Sequence, residues 1–225
     1  MSPSPKASII LATYQWPEAL SLVLSGLLTQ TEKDFEIMLA DDGSDSRTRE
    51  VARAYQGRGL RIEHFWQENK GFRKSRILNR AIAAAKGRVL IFLDGDCVPH
   101  AEFVGQHVAL QDGRHYVAGR RVDLSREITE SLRPADVEAG MLNGKGLLRL
   151  FRDSLREGGS KTFHRAYMVR NPLVRKVFGL EKVADLKGCN FSALREHMLA
   201  LDGFDESYEG YGREDTDVEL RLQNL

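Results

Sequence analysis

Residues 88–99 read Arg-Val-Leu-Ile-Phe-Leu-Asp-Gly-Asp-Cys-Val-Pro, and this stretch restricts the fold of the 225-residue chain more tightly than any other. Positions 89–93 are apolar without a break, bounded by Gly87 on one side and by Gly95 and Pro99 on the other. A run that short, between such punctuators, reads as a strand buried on both faces, as inside a parallel sheet. Asp94 and Asp96 stand at its carboxyl end. Ligands of open α/β sheets bind outside the carboxyl ends of the strands, which puts both carboxylates where chemistry is usually done. Two acids that close repel each other unless a cation lies between them. Hard oxygen ligands select Mg²⁺ or Mn²⁺, and these favour phosphate-bearing substrates. An Asp-x-Asp is also compatible with a plain polar turn, so its neighbours must decide.

Those neighbours repeat one unit. Residues 7–12 (ASIILA), 35–40 (FEIMLA) and 60–65 (LRIEHF) read as strands preceding the central one. Between them, residues 17–30 carry Leu20, Val23, Leu24, Leu27 and Leu28 on one helical face, with Pro17 suited to a helix start. Residues 41–46 form an acidic, serine-rich turn that caps a helix over 48–55, and an alanine-rich helix over 75–86 has Gly87 as its expected C-cap. Alternating strands and helices predict an α/β fold with a right-handed, mostly parallel, Rossmann-like sheet. Yet the first strand runs into Thr-Tyr-Gln-Trp-Pro rather than GxGxxG, and no GxxxxGK[ST] occurs. Without a glycine cradle, phosphate must be neutralised by metal and basic side chains.

Composition excludes several classes. A net charge of +1 argues against a nucleic-acid binder. The two cysteines, Cys97 and Cys189, form no CxxC and read as core residues beside the site in a reducing compartment. The N-terminus lacks an apolar signal core and no run reaches transmembrane length, so a cytoplasmic enzyme is expected. His100, His107 and His115 lack metal-ligand pairing and read as structural or exposed.

With these residues in place, a resemblance appears. A first strand ending in Thr13-Tyr14, a second ending in Asp41-Asp42-Gly43-Ser44, and Asp94-Gly95-Asp96 resemble glycosyltransferase family 2, which comprises inverting, nucleotide-sugar-dependent enzymes of the GT-A fold. Gly188-Cys189-Asn190-Phe191-Ser192 is similar to that family's glycine-asparagine strand, and Gly203-Phe204-Asp205-Glu206 to its acceptor-side motif. Gly210-Tyr211-Gly212-Arg213-Glu214-Asp215 is similar to the Gly-Trp-Gly-x-Glu-Asp element of galactosyl- and N-acetylgalactosaminyltransferases and chondroitin-type polymerases, with tyrosine in place of tryptophan. The resemblance implies a nucleotide-sugar donor, UDP-based, and a carbohydrate or lipid-linked glycan acceptor, as in polysaccharide biosynthesis. It implies that Thr13 and Tyr14 line the base pocket, that Asp42 accepts the uracil N–H and that Arg73 reaches the nucleotide. Gly188 and Asn190 fall with the donor-binding residues. Asp94 would contact ribose or metal, and Asp96 would ligate the Mn²⁺ or Mg²⁺ that bridges the phosphates. Asp215 takes the place of the catalytic base, with Glu214 beside it. The chain ends before the position where many relatives supply a histidine metal ligand.

Several bland alternatives stand beside these roles. Asp41 and Asp45 read as capping residues only, and Lys70, Lys74 and Arg76 compete with Arg73 for the nucleotide. A sugar nucleotidyltransferase would also use aspartates and Mg²⁺ on such a sheet, but its glycine-rich, lysine-containing first loop is missing. An inactive nucleotide- or sugar-binding domain of a longer polymerase is the alternative from a different class. The expected organisation is one continuous domain, with a nucleotide-binding half over 1–99, an acceptor-binding half over 100–225, and a helical insertion at about 125–184. Within residues 145–182 ten Lys/Arg face three acids. Such a segment suits an anionic acceptor or peripheral membrane contact, or else a helical cover with solvated arginines.

Overall fold

The computed structural model describes residues 4–144, 146, 148, 150, 172–177, 186–208, 210 and 212–225. Six strands form one sheet in the order β3-β2-β1-β4-β6-β5. These are β1 (Ala7–Thr13), β2 (Phe35–Asp41), β3 (Ile62–Trp66), β4 (Val89–Asp94), β5 (Val117–Ala118) and β6 (Asn190–Leu194). β1 to β4 pair in parallel, whereas β6 runs antiparallel to both β4 and β5. The expected α/β, mostly parallel sheet is therefore present, with an antiparallel edge added by the second half.

Helices cover both faces: α1 (Pro17–Leu28), α2 (Ser46–Gly57), α3 (Lys74–Ala84) and α4 (Phe103–Leu110) accompany the first four strands. Then come the short α5 (Arg126–Ser131), α6 (Pro134–Glu138), α7 (Pro172–Val177) and α8 (Arg195–Ala200), and last α9 (Glu214–Gln223). The period-two alternation of the strands divides the core. Ile9, Leu11, Ile91 and Leu93 pack with Leu20, Val23, Leu24 and Leu27 of α1, while Ile10, Leu90 and Phe92 pack with Ile77, Leu78 and Ala81 of α3. Each fully buried Val, Leu, Ile or Phe among these contributes about 1.5–3 kcal/mol of transfer free energy. Of the expected insertion, α5, α6 and α7 lie among the described residues and are helical. Most of the basic segment 145–182 lies outside them. No helix among the described residues is long and apolar enough to cross a membrane.

Among the boundaries that differ from the sequence reading, two have a visible reason. β3 begins at Ile62, two residues late, because Leu60 packs in the loop before it. The helix before β4 ends at Ala84 with Ala85 as its C-cap, so Gly87 is not the cap. Gly87 is needed for another reason. A Cβ there would stand 2.4 Å from both Ala7 C and Ser8 N. The Gly87 N–H donates to Ser8 Oγ at 2.8 Å, and that hydroxyl donates to Glu36 Oε1 at 2.7 Å. These bonds and the close approach clamp the start of β4 against β1. Gly87→Ala should therefore destabilise the fold by about 1–3 kcal/mol, the usual cost of overpacking, read as a lowered urea midpoint with an unchanged slope.

Candidate active site

The carboxyl ends of β1, β2 and β4 converge on one rim of the sheet, and the candidate residues sit along it. Asp41 ends β2 and Asp42 follows it, and the two side chains take different partners. Asp41 is fully buried, accepting from Ser44 N at 2.8 Å and pairing with His64 Nε2 at 2.9 Å. It holds the turn, as expected, and Asp45 caps α2 by accepting from Arg47 N. Asp42 accepts from Gln67 Nε2 at 2.5 Å and from the Arg73 backbone N–H at 2.8 Å. Gly43 lets this turn close: its φ is +101°, and a Cβ there would meet the Asn69 backbone at 2.6 Å. Thr13 is buried and its carbonyl accepts from Asp42 N, while Tyr14 is exposed and its hydroxyl accepts from Asn69 Nδ2 at 2.9 Å. The Arg73 guanidinium turns back to the Glu68 carbonyl, with Nε buried and unpartnered.

The base-pocket candidates Thr13, Tyr14, Asp42 and Arg73 are thus one connected group. Gln67, a member of that group, was not singled out in the sequence. Its one local signal is a polar residue directly after β3.

A second group lies at the end of β4. Asp94 Oδ1 accepts from Lys74 Nζ at 2.7 Å. Burial works against the lysine charge, but Asp94, aided by Asp215 and Glu214, outweighs it and raises the Lys74 pKa above its ordinary value. Asp96 lies one turn further out and is exposed, accepting from Cys97 Sγ at 3.4 Å. Cys189 is buried, with Arg121 Nη1 3.9 Å from its sulfur. Asp94 and Asp96 offer oxygen ligands only, and no cluster of three or more His, Cys, Asp or Glu able to hold a metal occurs among the described residues. Two carboxylates without a third protein ligand fit a cation of the Mg²⁺ or Mn²⁺ kind, which keeps waters and takes phosphate oxygens.

The third group comes from the second half of the chain. α9 begins at Glu214, with Arg213 in left-handed conformation (φ 79°) at its N-cap. Glu214 is buried, and its Oε2 accepts from Gly212 N at 3.0 Å. Asp215 Oδ2 accepts from Gly188 N at 2.8 Å. A Cβ on residue 188 would stand 2.2 Å from Asp215 Oδ1, so only glycine allows this contact. Burial raises the Asp215 pKa, with Glu214 and Asp94 adding to it and Lys74 and the Gly188 N–H opposing. Tyr211 lies outside the described residues. Of the Gly203–Glu206 motif, Phe204 is a core residue, set edge-on to Phe92, and Glu206 accepts from Asn79 of α3.

Asn190 belongs to a buried network instead of standing free. Its Nδ2 donates to the Arg120 carbonyl at 3.2 Å, and its Oδ1 pairs with His107 Nε2 at 3.0 Å. His107 Nδ1 lies 2.8 Å from Ser192 Oγ. The amide oxygen cannot donate, so Nε2 carries the proton; in the neutral ring, Nδ1 then accepts from the serine. A groove of about 1650 Å³ runs outward from Asp96, Cys97 and Asn190 past Arg120 and Arg121 to the exposed Trp16.

This sheet, with carboxylates instead of a glycine cradle at its strand ends, is the GT-A glycosyltransferase fold. Two solved structures share it. A mannosyltransferase from Pyrobaculum calidifontis, in complex with GDP-Man and Mn²⁺, superposes with a TM-score of 0.61 at 16% identity, covering 98% of this chain and 52% of that one. Residues 1–349 of S. aureus TarS, in complex with UDP, give 0.60 at 17% identity, covering 96% and 54%. The chain belongs to glycosyl transferase family 2, whose profile matches residues 8–170. Residues 178–225 match the N-terminal domain of galactosyltransferase.

Among curated relatives, validoxylamine A glucosyltransferase of Streptomyces hygroscopicus subsp. jinggangensis is 34% identical over 48% of this chain. The hyaluronan synthase of Pasteurella multocida is 29% identical and an uncharacterized glycosyltransferase of Bacillus subtilis 26% identical, each over 96% of this chain. The matches span 26%, 22% and 60% of those three proteins' own lengths.

Burial pushes the His107 pKa down to about 4, against weaker support from the Asn190 bond. A folded value below the unfolded 6.5 means that folding excludes the proton. The contribution is intact above the unfolded value and is lost as pH falls from there towards 4. Inside that window stability should drop by about 1.4 kcal/mol per pH unit. Urea midpoints at a series of pH values should show this slope, and His107→Gln should flatten it.

Proposed function

We propose that this chain is the catalytic domain of an inverting glycosyltransferase that moves a sugar from a nucleoside diphosphate, uridine-based, to a hydroxyl of a carbohydrate or lipid-linked glycan. One observation carries the reading. Asp215 accepts from Gly188 N, and the antiparallel pairing of Asn190 with Leu93 sets that segment beside Asp94 at the end of β4, where Lys74 is bound. Donor-side and acceptor-side acids therefore share one site. Residues 1–99 form the donor half and residues 100–225 the acceptor half, and the neighbours' complexes with GDP-Man and Mn²⁺ and with UDP agree with the first of these roles.

Asp42, already oriented by Gln67 and Arg73 N, keeps lone pairs for a uracil N–H, and Thr13 and Tyr14 flank it. Asp94 and Asp96 would hold Mn²⁺ or Mg²⁺, which when bound supplies Lewis-acid stabilisation to a departing diphosphate. The Gly188 N–H fixes Asp215, which on this reading faces the acceptor and takes the hydroxyl proton. Its raised pKa makes it a better base than an exposed aspartate.

Asp96→Ala tests the cation site. Asp96 is exposed and supports no core residue, so the variant should melt like wild type yet lose Mn²⁺-dependent UDP binding in calorimetry. Unchanged affinity removes Asp96 from that role.

Asp215→Asn tests the base. Transfer should fall at least about 10²-fold while UDP binding barely changes. In the wild type, transfer should fall with acidification at a higher pH than an ordinary aspartate would set, because protonation of a raised-pKa base abolishes it. Near wild-type transfer by the variant would point to Glu214, and collapse of UDP affinity would place Asp215 on the donor side.

A further inference from the structure

The Lys74 ammonium is the charge that Asp94, Glu214 and Asp215 share, and sugar transfer as described gives it no task. It opens α3, where Ser75, Ile77 and Leu78 behind it are buried, so the backbone is anchored and only the four-carbon side chain can re-aim. Its side chain is 18% exposed and that of Asp94 30%, which leaves the 2.7 Å bond poorly screened by solvent. Glu214 and Asp215 at the start of α9 add to the attraction that raises the Lys74 pKa, and Asp215 is itself tied to Gly188 N. A largely desolvated ammonium persists only where counter-charges hold it. Here the principal counter-charge is the carboxylate that a divalent cation would also need.

We propose that Lys74 changes partners when the donor binds: it neutralises Asp94 in the free protein, yields that carboxylate to the cation, and turns its ammonium to the donor's diphosphate. This rests on the donor reading above. Charge counting gives it a signature that a packing role lacks. A divalent cation arriving alone meets a resident positive charge and must compete for Asp94. A cation carrying a nucleoside diphosphate brings net negative charge, and the same ammonium then attracts it. Lys74 should weaken binding of the bare metal and strengthen binding of the metal–nucleotide pair.

The test measures two affinities on the full chain: Mn²⁺ alone, from the electron paramagnetic resonance signal of free Mn²⁺, and UDP at saturating Mn²⁺, by calorimetry. Lys74→Met should bind Mn²⁺ alone at least about tenfold more tightly than wild type, and UDP with Mn²⁺ at least about tenfold more weakly, as expected for one poorly screened charge. Lys74→Arg should keep the wild-type order, and Lys74→Gln supplies the same comparison if the methionine variant does not fold. Affinities that move in the same direction, or that both stay within about twofold, overturn the assignment. Wild-type protein that shows no Mn²⁺-dependent UDP binding overturns the donor reading, and the role of Lys74 with it. Parallel shifts in variants of a wild type that does bind remove Lys74 alone.

Discussion

Antiparallel addition of β6 to β4 is the constraint on which the site depends. Four parallel strands can collect only the ends of their own loops on one rim. β6 enters from the other direction, with Leu93 opposite Asn190 and Phe92 opposite Phe191. The two phenyl rings stack at 4.3 Å and 5°. This register places Gly188 and Cys189 beside the end of β4, and Gly188 in turn receives Asp215 from α9. A slip by one residue would turn every β6 side chain to the opposite face and remove Gly188 from Asp215. The tightly packed aromatic pair therefore guards the alignment of two acids that it does not touch.

The rim concentrates negative charge. Asp94, Glu214 and Asp215 crowd one region, and the protein offsets this with a half-buried lysine and backbone N–H groups rather than with exposed arginines. Backbone donors cannot titrate and have little freedom to move, so they hold the acids in place across pH. The His107–Asn190–Ser192 network works alongside by purely neutral hydrogen bonds, keeping the neighbouring wall of the groove rigid without adding charge.

Much of this was legible in the chain. β1, β2 and β4 announce themselves because buried parallel strands are near-continuous apolar runs, and α1 because its leucines keep a helical period. The motif residues were found because glycine and aspartate have few substitutes where a Cβ will not fit or a charge is needed. Less was legible where function depends on contacts between distant segments. Arg73 and Lys74 are adjacent cations in one loop, and only the third dimension shows that one turns back to the Glu68 carbonyl and the other reaches Asp94. β5 is two residues long, too short to carry a period, and exists because β6 offers it an edge. Gly87 was read as a helix cap because its neighbours in sequence suggest one, whereas its reason lies across the sheet in Ala7 and Ser8. Asn190 drew attention by its motif, but its partner His107 lies 83 residues away with no local mark of burial.

The adjacent acids Asp41 and Asp42 show what a strand terminus offers to a protein that must vary. One acid is tied to His64 and the turn, while its neighbour is held by Gln67 and the Arg73 N–H. Scaffold and the proposed recognition are thus separated by a single peptide bond. On that proposal, a lineage or an engineer can alter the residues around the second acid to accept another base without loosening the turn that presents it.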